Sequence, residues 1–205
     1  MYIPIHRLIV EAISRKERGE IVFPGDFLEF GSMDAVKKTF SRLAKDGTLV
    51  RLAQGVYLYP KRDPQLGILY PSLEEIAQAI GKRDKVRIQP TGSYALHQLG
   101  LSTQVPMKVV YLTDGQSKQI RVGKRTITFK ATTPKNIATK GKFSTLAIQA
   151  LLELGKDGID EKVMNRIEEV LKREDVNTLR NDIAHAPSWI ANKLYAIIKK
   201  IEKNG

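Results

Sequence analysis

The sequence predicts an α+β protein: an N-terminal winged helix-turn-helix followed by a mixed α/β domain with a helical C-terminal part. Three observations lead to this fold class. Three segments with helical apolar spacing come first, two strand-like runs joined by Gln54-Gly55 follow, and later strands give way to amphipathic helices after Phe143. The length of 205 residues allows two domains. We expect them at 1–62 and 72–205, joined by a linker at 63–71 that contains proline and glycine.

The elements expected in the first domain are helices at about 4–18, 24–30 and 32–45 and strands at 48–53 and 56–60. Ser32 can cap the third helix, because its side-chain oxygen can accept a hydrogen bond from a free amide of the first turn. Asp34 suits the positive end of the same helix. Gly55 can take the positive φ of a tight hairpin. The resulting order, three helices and a hairpin, is that of a winged helix-turn-helix.

The third helix is amphipathic and basic. Val36, Phe40 and Leu43 share one face, and a helix at this position of a helix-turn-helix enters the major groove of DNA. The candidate DNA-binding residues on its polar face and on the hairpin are Ser32, Lys37, Lys38, Ser41, Arg42, Lys45, Arg51 and Gln54. A basic helix face is also found as a simple solvated surface. The place of this helix, just before a glycine hairpin, favours DNA contact.

The second domain is expected to begin with a helix at 72–82, because Ser72 and Glu75 form the sequence of a capping box. The further elements expected are strands at 86–89, 108–113, 118–122 and 125–131 and helices at 93–99, 144–154, 160–172, 176–185 and 188–203. Asp114-Gly115 predicts a hairpin between the second and third of these strands. Ile127 and Phe129 alternate with polar residues, which predicts a sheet with one buried and one solvated, basic face.

The formal net charge is +12, which favours a polyanionic partner. The excess is +4 in residues 1–62, +7 in 63–153 and only +1 in 154–205. The stretch 115–152 contains eight basic residues and no acidic one. Its strands carry a predicted second basic patch, which comprises Lys118, Arg121, Lys124, Arg125 and Lys130. A second nucleic-acid surface, a surface for an acidic protein and a solvated face all remain open for this patch.

Several function classes are disfavoured by what the sequence lacks. There is no cysteine, so disulfides and thiolate zinc sites are absent, and a reducing cytoplasm is the expected location. No apolar run approaches a membrane span, and the first residues do not resemble a signal peptide. The three histidines lie in separate segments, so we expect neither a metal site nor a cofactor.

Gly92-Ser93 resembles the glycine-serine loop with which nucleotidyltransferases position a triphosphate. Those enzymes also need paired carboxylates on a following strand to bind two metal ions. The corresponding strand here, 108–113, is followed by the single acid Asp114. The sequence therefore predicts that the chain is not an enzyme, and helix packing is the plain explanation of the glycine and serine.

Taken together, five phrases over about residues 1–155 resemble the AbiEi-type antitoxin family, which is found beside nucleotidyltransferase-like toxins. The phrases are Phe23-Pro-Gly-Asp26-Phe27, Gly31-Ser32 through Ser41-Arg42-Leu43, Gly55-Val-Tyr57-Leu-Tyr59-Pro60, Gln89-Pro-Thr-Gly92-Ser93-Tyr-Ala-Leu96 and Val105-Pro-Met-Lys-Val-Val-Tyr-Leu-Thr-Asp-Gly115. The resemblance implies that the N-terminal winged helix represses its own operon, with Lys37, Lys38, Ser41 and Arg42 as its DNA contacts. It also implies that the C-terminal domain supports oligomerisation and antitoxin activity. The helices after Gly155 contain no matching phrase.

The sequence thus leads to one main hypothesis. The chain is expected to be a cytoplasmic transcriptional repressor and antitoxin with a role in phage defence, which autoregulates its operon and has no membrane partner. Its expected partners are duplex DNA with inverted repeats in its own promoter, a cognate nucleotidyltransferase-like toxin, bound directly or linked only functionally, and a second copy of the chain. The alternative is a catalytically inactive or diverged nucleotidyltransferase-like protein, or an RNA-binding protein, that uses the C-terminal domain; exposed aromatics for stacking unpaired bases are lacking in that domain.

Overall fold

The computed structural model of the chain describes residues 4–104 and 106–204; Val105, part of one phrase of the family resemblance, lies outside them. The fold is mixed α+β. The chain divides into two compact units, of which the first comprises Met1–Ile80 and Ile120–Lys124 and the second comprises Gly81–Gln119 and Arg125–Gly205.

The N-terminal unit begins with two helices and a three-stranded sheet. Its first elements in chain order are α1 (Ile5–Ser14), β1 (Ile21–Val22), a 3₁₀ segment (Pro24–Phe30), α2 (Met33–Lys45), β2 (Val50–Ala53) and β3 (Val56–Leu58). The strand order is β1-β3-β2, and both pairs are antiparallel. The brief helix expected at 24–30 is a 3₁₀ segment, interrupted at Phe27 by non-helical backbone angles.

An aromatic core holds α2 in place. Phe40 is fully buried and packs edge-on against Phe27 and Tyr57, with ring centroids 5.2 and 5.1 Å apart. Val36 and Leu43 bury the rest of the same helix face, as their spacing predicts. Because the helix is fixed along this face, its opposite face points away from the core.

A second hairpin follows directly. Lys61–Asp63 (β4) pairs antiparallel with Gly67–Leu69 (β5), so residues that the sequence assigns to a linker form a two-stranded sheet. The turn is closed by Asp63, whose Oδ1 accepts hydrogen bonds from the amides of Gln65 (2.8 Å) and Leu66 (2.9 Å). The amides of Leu66 and Gln65 hold the pKa of this carboxyl below its ordinary value. Both strands are only three residues long, and neither has the alternating pattern that would have predicted it: Lys61–Asp63 is polar throughout, and Gly67–Leu69 is not.

The helix α3 (Leu73–Asp84) begins with the predicted capping box. The amide of Glu75 donates to Ser72 Oγ at 3.1 Å, and the Ser72 amide donates to Glu75 Oε2 at 2.7 Å. Two free amides at the helix start are thereby satisfied reciprocally.

A four-stranded sheet follows, in the order β6-β7-β9-β8. Its strands are β6 (Ile88–Pro90), β7 (Lys108–Thr113), β8 (Lys118–Val122) and β9 (Arg125–Ala131). The hairpin predicted at Asp114-Gly115 is wrong, because β7 pairs in parallel with β9 and β8 lies at the edge beyond β9. The Asp114 carboxylate instead accepts hydrogen bonds from the Arg87 amide (2.8 Å) and from Arg87 Nε (3.0 Å).

The remaining elements are helices, and the last four of them share an apolar core. They are α4 (Gly92–Gln98), α5 (Lys142–Leu154), α6 (Glu161–Leu171), α7 (Val176–Ile183) and α8 (Ser188–Asn204), with a 3₁₀ turn at Pro134–Ile137. Buried residues of α5 to α8 pack together, among them Leu151, Ile167, Leu179 and Leu194. The expected helical C-terminal part is therefore confirmed.

A buried carboxylate anchors the start of α5. Asp182 in α7 is only 2% exposed and accepts three hydrogen bonds: from the amides of Lys140 (2.9 Å) and Gly141 (2.7 Å) and from Ser144 Oγ (2.5 Å). Glu174 accepts a further bond from the Phe143 amide at 2.8 Å. These carboxylates satisfy helix-end amides that would otherwise be buried without partners.

Candidate nucleic-acid interface

The helix α2 starts where the sequence predicts. The Ala35 amide donates to Ser32 Oγ at 3.4 Å, and the chain leaves the helix at Asp46, whose Oδ1 accepts from the Thr48 amide at 2.9 Å. That amide, followed by the Thr48 side chain, lowers the pKa of Asp46. The polar face between these ends is aligned by the buried residues on the opposite side.

Every candidate residue on α2 and its cap is exposed. This outward surface, which we call the α2 face, comprises Ser32, Lys37, Lys38, Ser41, Arg42 and Lys45. None of its four cationic side chains forms an ion pair with any other described residue. By contrast, Arg7 in α1 is paired with Glu11 at 3.0 Å, and Lys16 is paired with Glu20 at 3.1 Å. The α2 face therefore retains its positive charge for an external anion.

The adjacent β2–β3 hairpin adds two further exposed side chains. Arg51 lies on β2 and Gln54 lies in the turn, where Gly55 adopts a φ of +70° that favours glycine. The connection is short, and β2 has an irregular register between Arg51 and Ala53. Both side chains are in the unit that holds the α2 face.

The five residues of the predicted second basic patch differ in their ion pairing and exposure. Lys118 is ion-paired with Asp84 and lies over the Phe129 ring, 5.1 Å from its centroid. Partial burial raises the pKa of Asp84, but hydrogen bonds from Arg83 and Lys118 outweigh burial and leave the pKa below its ordinary value. Lys118 is therefore not a free cation, because an acid distant in sequence neutralises it.

The other members of this patch differ in exposure. Arg121, Lys124 and Lys130 are exposed, and Arg121 Nε donates to the Gly123 carbonyl at 3.3 Å. Arg125 is half-buried, since it shares the inward side of β9 with Ile127. Three of the five predicted residues, Arg121, Lys124 and Lys130, are thus exposed cations.

The Gly92-Ser93 loop lacks the features of a triphosphate site. Gly92 has a φ of +58°, and a side chain there would meet Glu153 Oε2 at 3.1 Å, so a carboxylate lies where an anion would have to approach. Asp114 is held by Arg87, and the Arg87 side chain, followed by its amide, lowers the pKa of that carboxyl. Within residues 4–104 and 106–204, no three His, Cys, Asp or Glu side chains form a group that could hold a metal ion.

We expect no metal-dependent nucleotide transfer by this chain. Incubation with labelled nucleotides, candidate RNA and Mg²⁺ or Mn²⁺ should give no time-dependent labelling, because the loop lacks a carboxylate pair to hold two ions. Labelling that disappears in an Asp114→Asn variant would overturn this expectation.

Two exposed residues of α2 were absent from the candidate set. Met33 and Asp34 lie in the first turn, and Met33 is 38% exposed although it is apolar. Helical spacing alone could have included them, since both precede α2-face residues by four positions: Lys37 and Lys38.

Comparison with known proteins places the chain in a family. It belongs to the DUF6088 family, a family of unknown function, whose pattern matches residues 8–179. In fold it is similar to the RV2827C protein from Mycobacterium tuberculosis, known from a crystal structure: the TM-score is 0.50, with 98% of this chain and 78% of that chain covered, at 10% sequence identity. At that identity the likeness concerns the fold alone. No protein of curated function matches the sequence.

Among the helices of the described residues, none has the length and apolar character needed to cross a membrane.

Proposed function

We propose that the N-terminal unit is a winged helix-turn-helix that binds duplex DNA, and that the chain is a cytoplasmic transcriptional repressor of its own operon. The order α1, β1, 3₁₀ segment, α2 and hairpin, with strand order β1-β3-β2, supports the winged helix. In this arrangement α2 is the recognition helix and the β2–β3 hairpin touches the backbone.

The observation that carries the proposal is the unneutralised charge of the α2 face. Lys37, Lys38, Arg42 and Lys45 are exposed, share one helix and have no acidic partner among the described residues. Arg51 adds a fifth exposed cation in the same unit. Phosphate groups would supply the missing counter-charge, and the release of condensed counterions would favour binding.

The direct test is a titration of the full chain with the duplex upstream of its own gene. We expect saturable binding that is stronger than binding to an unrelated duplex of equal length, and a site organised as an inverted repeat because repressors of this class bind as symmetric dimers. Equal binding to both duplexes, or preferential binding to RNA, would contradict the repressor function.

The antitoxin role rests on the resemblance to AbiEi-type proteins. Its test is co-expression with the product of the neighbouring open reading frame. We expect growth to be arrested by that product alone and restored when this chain is also produced. Growth that stays arrested in the presence of a folded chain would contradict the antitoxin role, while leaving the DNA-binding proposal intact.

The exposed part of the second basic patch has a separate prediction. If Arg121, Lys124 and Lys130 neutralise phosphates, replacing all three by glutamate should flatten the plot of log affinity against log salt concentration by about 0.9 for each phosphate that is no longer neutralised. The preferred DNA sequence should not change, because phosphate contacts carry no base information. An unchanged salt slope combined with a loss of growth rescue would assign the patch to a protein partner instead.

A further inference from the structure

Asp34 is an acidic residue in the first turn of a basic surface. It is exposed, and its carboxylate makes no hydrogen bond or ion pair with the other described residues. The capping position is already filled, because the Ala35 amide donates to Ser32 Oγ. The carboxylate therefore does not cap the helix, although its charge suits the positive end of α2.

Asp34 lies at the N-terminal end of the α2 face, in line with other residues of that face. Lys38, Ser41 and Lys45 follow Asp34 at intervals of four, seven and eleven residues, so the four side chains form one outward line. The buried residues Phe40 and Leu43 lie on the other side of the helix. A ligand that contacts Lys38 and Ser41 would also meet Asp34.

A phosphate would repel this carboxylate, so a backbone contact does not explain it. In the major groove, a carboxylate accepts well from the exocyclic amino group of cytosine, N4. Adenine also presents an amino group there, but its neighbouring N7 is an acceptor and would repel a second acceptor. The groove thus offers Asp34 one well-matched base.

We propose that Asp34 is a specificity-determining residue that accepts a hydrogen bond from cytosine N4 at one position of each half-site. The inference rests on the proposed DNA-binding function of α2. The inference goes beyond that function: the lysines would supply affinity for any DNA sequence, whereas Asp34 would select one base.

The test compares Asp34→Asn with Asp46→Asn by selecting preferred sites from a random duplex library. Both variants remove one negative charge, from the two ends of the same helix segment, about 18 Å apart along the axis. In the Asp46→Asn variant, the asparagine side chain retains an oxygen that can accept from the Thr48 amide, as Asp46 does. In the Asp34→Asn variant, the asparagine can instead form a bidentate pair with adenine N6 and N7.

For Asp34→Asn we expect the preferred base to change from cytosine to adenine at one position per half-site, with a loss of about tenfold or more in the preference for cytosine. Asp46→Asn should select the same site as the unaltered chain. An unchanged preference at every position in Asp34→Asn, with lysine-dependent binding intact, would overturn the inference alone. If the unaltered chain selects no duplex sequence, the proposed function fails together with the inference.

Discussion

Replacing Lys37 and Lys38 together by alanine is expected to reduce affinity for the promoter duplex about 30-fold near physiological salt. Each lysine that neutralises one phosphate contributes about 0.9 to the salt slope, which corresponds to roughly fivefold in affinity per phosphate at this ionic strength. Alanine is a strong helix former, so α2 should persist in the variant. A gel-shift or fluorescence titration at fixed salt measures the change.

The matched control replaces Lys193 and Lys199 of α8, which are also exposed, by alanine. The two double variants have the same net charge and differ only in where the positive charge is removed. A comparable fall in affinity in both would indicate a general effect of charge. Unchanged affinity in the folded Lys37/Lys38 variant would remove α2 from the interface.

Replacing Asp182 by alanine is expected to destabilise the second unit by about 3 to 5 kcal/mol. The substitution leaves the amides of Lys140 and Gly141 without their acceptor and removes the shorter of the two hydrogen bonds of the Ser144 hydroxyl, which also donates to the Gly141 carbonyl. A buried donor left without a partner costs about 1 to 3 kcal/mol. Equilibrium unfolding in urea, followed by circular dichroism, measures the difference.

Asp175→Ala provides the comparison, because Asp175 caps α7 from an exposed position and accepts from the Thr178 amide at 2.9 Å. Loss of such a solvent-exposed cap costs less than leaving buried donors without a partner. If Asp182→Ala destabilised the chain no more than Asp175→Ala, water would have to reach the α5 start, and Asp182 would not be a buried anchor.

Local chemistry made much of the fold predictable. The capping box of Ser72 and Glu75, the N-cap at Ser32 and the strands Lys108–Thr113 and Arg125–Ala131 lie where composition and spacing place them. The two caps depend on interactions within a few residues, and the extended conformation of the two strands is favoured by their own composition. Strand order was not predictable in this way, because the parallel pairing of β7 with β9 is decided by packing between distant segments.

In the candidate site too, some features follow from local sequence and others depend on distant segments. Exposure of the α2 face follows from helical periodicity, since Val36, Phe40 and Leu43 fix which side is buried. The ion pair of Lys118 does not follow from local spacing, because its partner Asp84 lies 34 positions earlier in the chain. The half-burial of Arg125 follows from the alternation along β9, because Arg125 lies on the same side of the strand as Ile127 and Phe129.

Site-specific crosslinking tests the central claim, that α2 lies against duplex DNA. The chain contains no cysteine, so Ser41→Cys creates a single attachment point for a photo-crosslinker on the α2 face. Ser14→Cys places the same probe at an exposed position of α1 in the same unit. We predict efficient crosslinking of the promoter duplex from position 41, suppressed by unlabelled promoter, and little from position 14. Crosslinking from position 41 that is absent, or no stronger than from position 14, with the protein folded and the duplex in excess, would contradict the account.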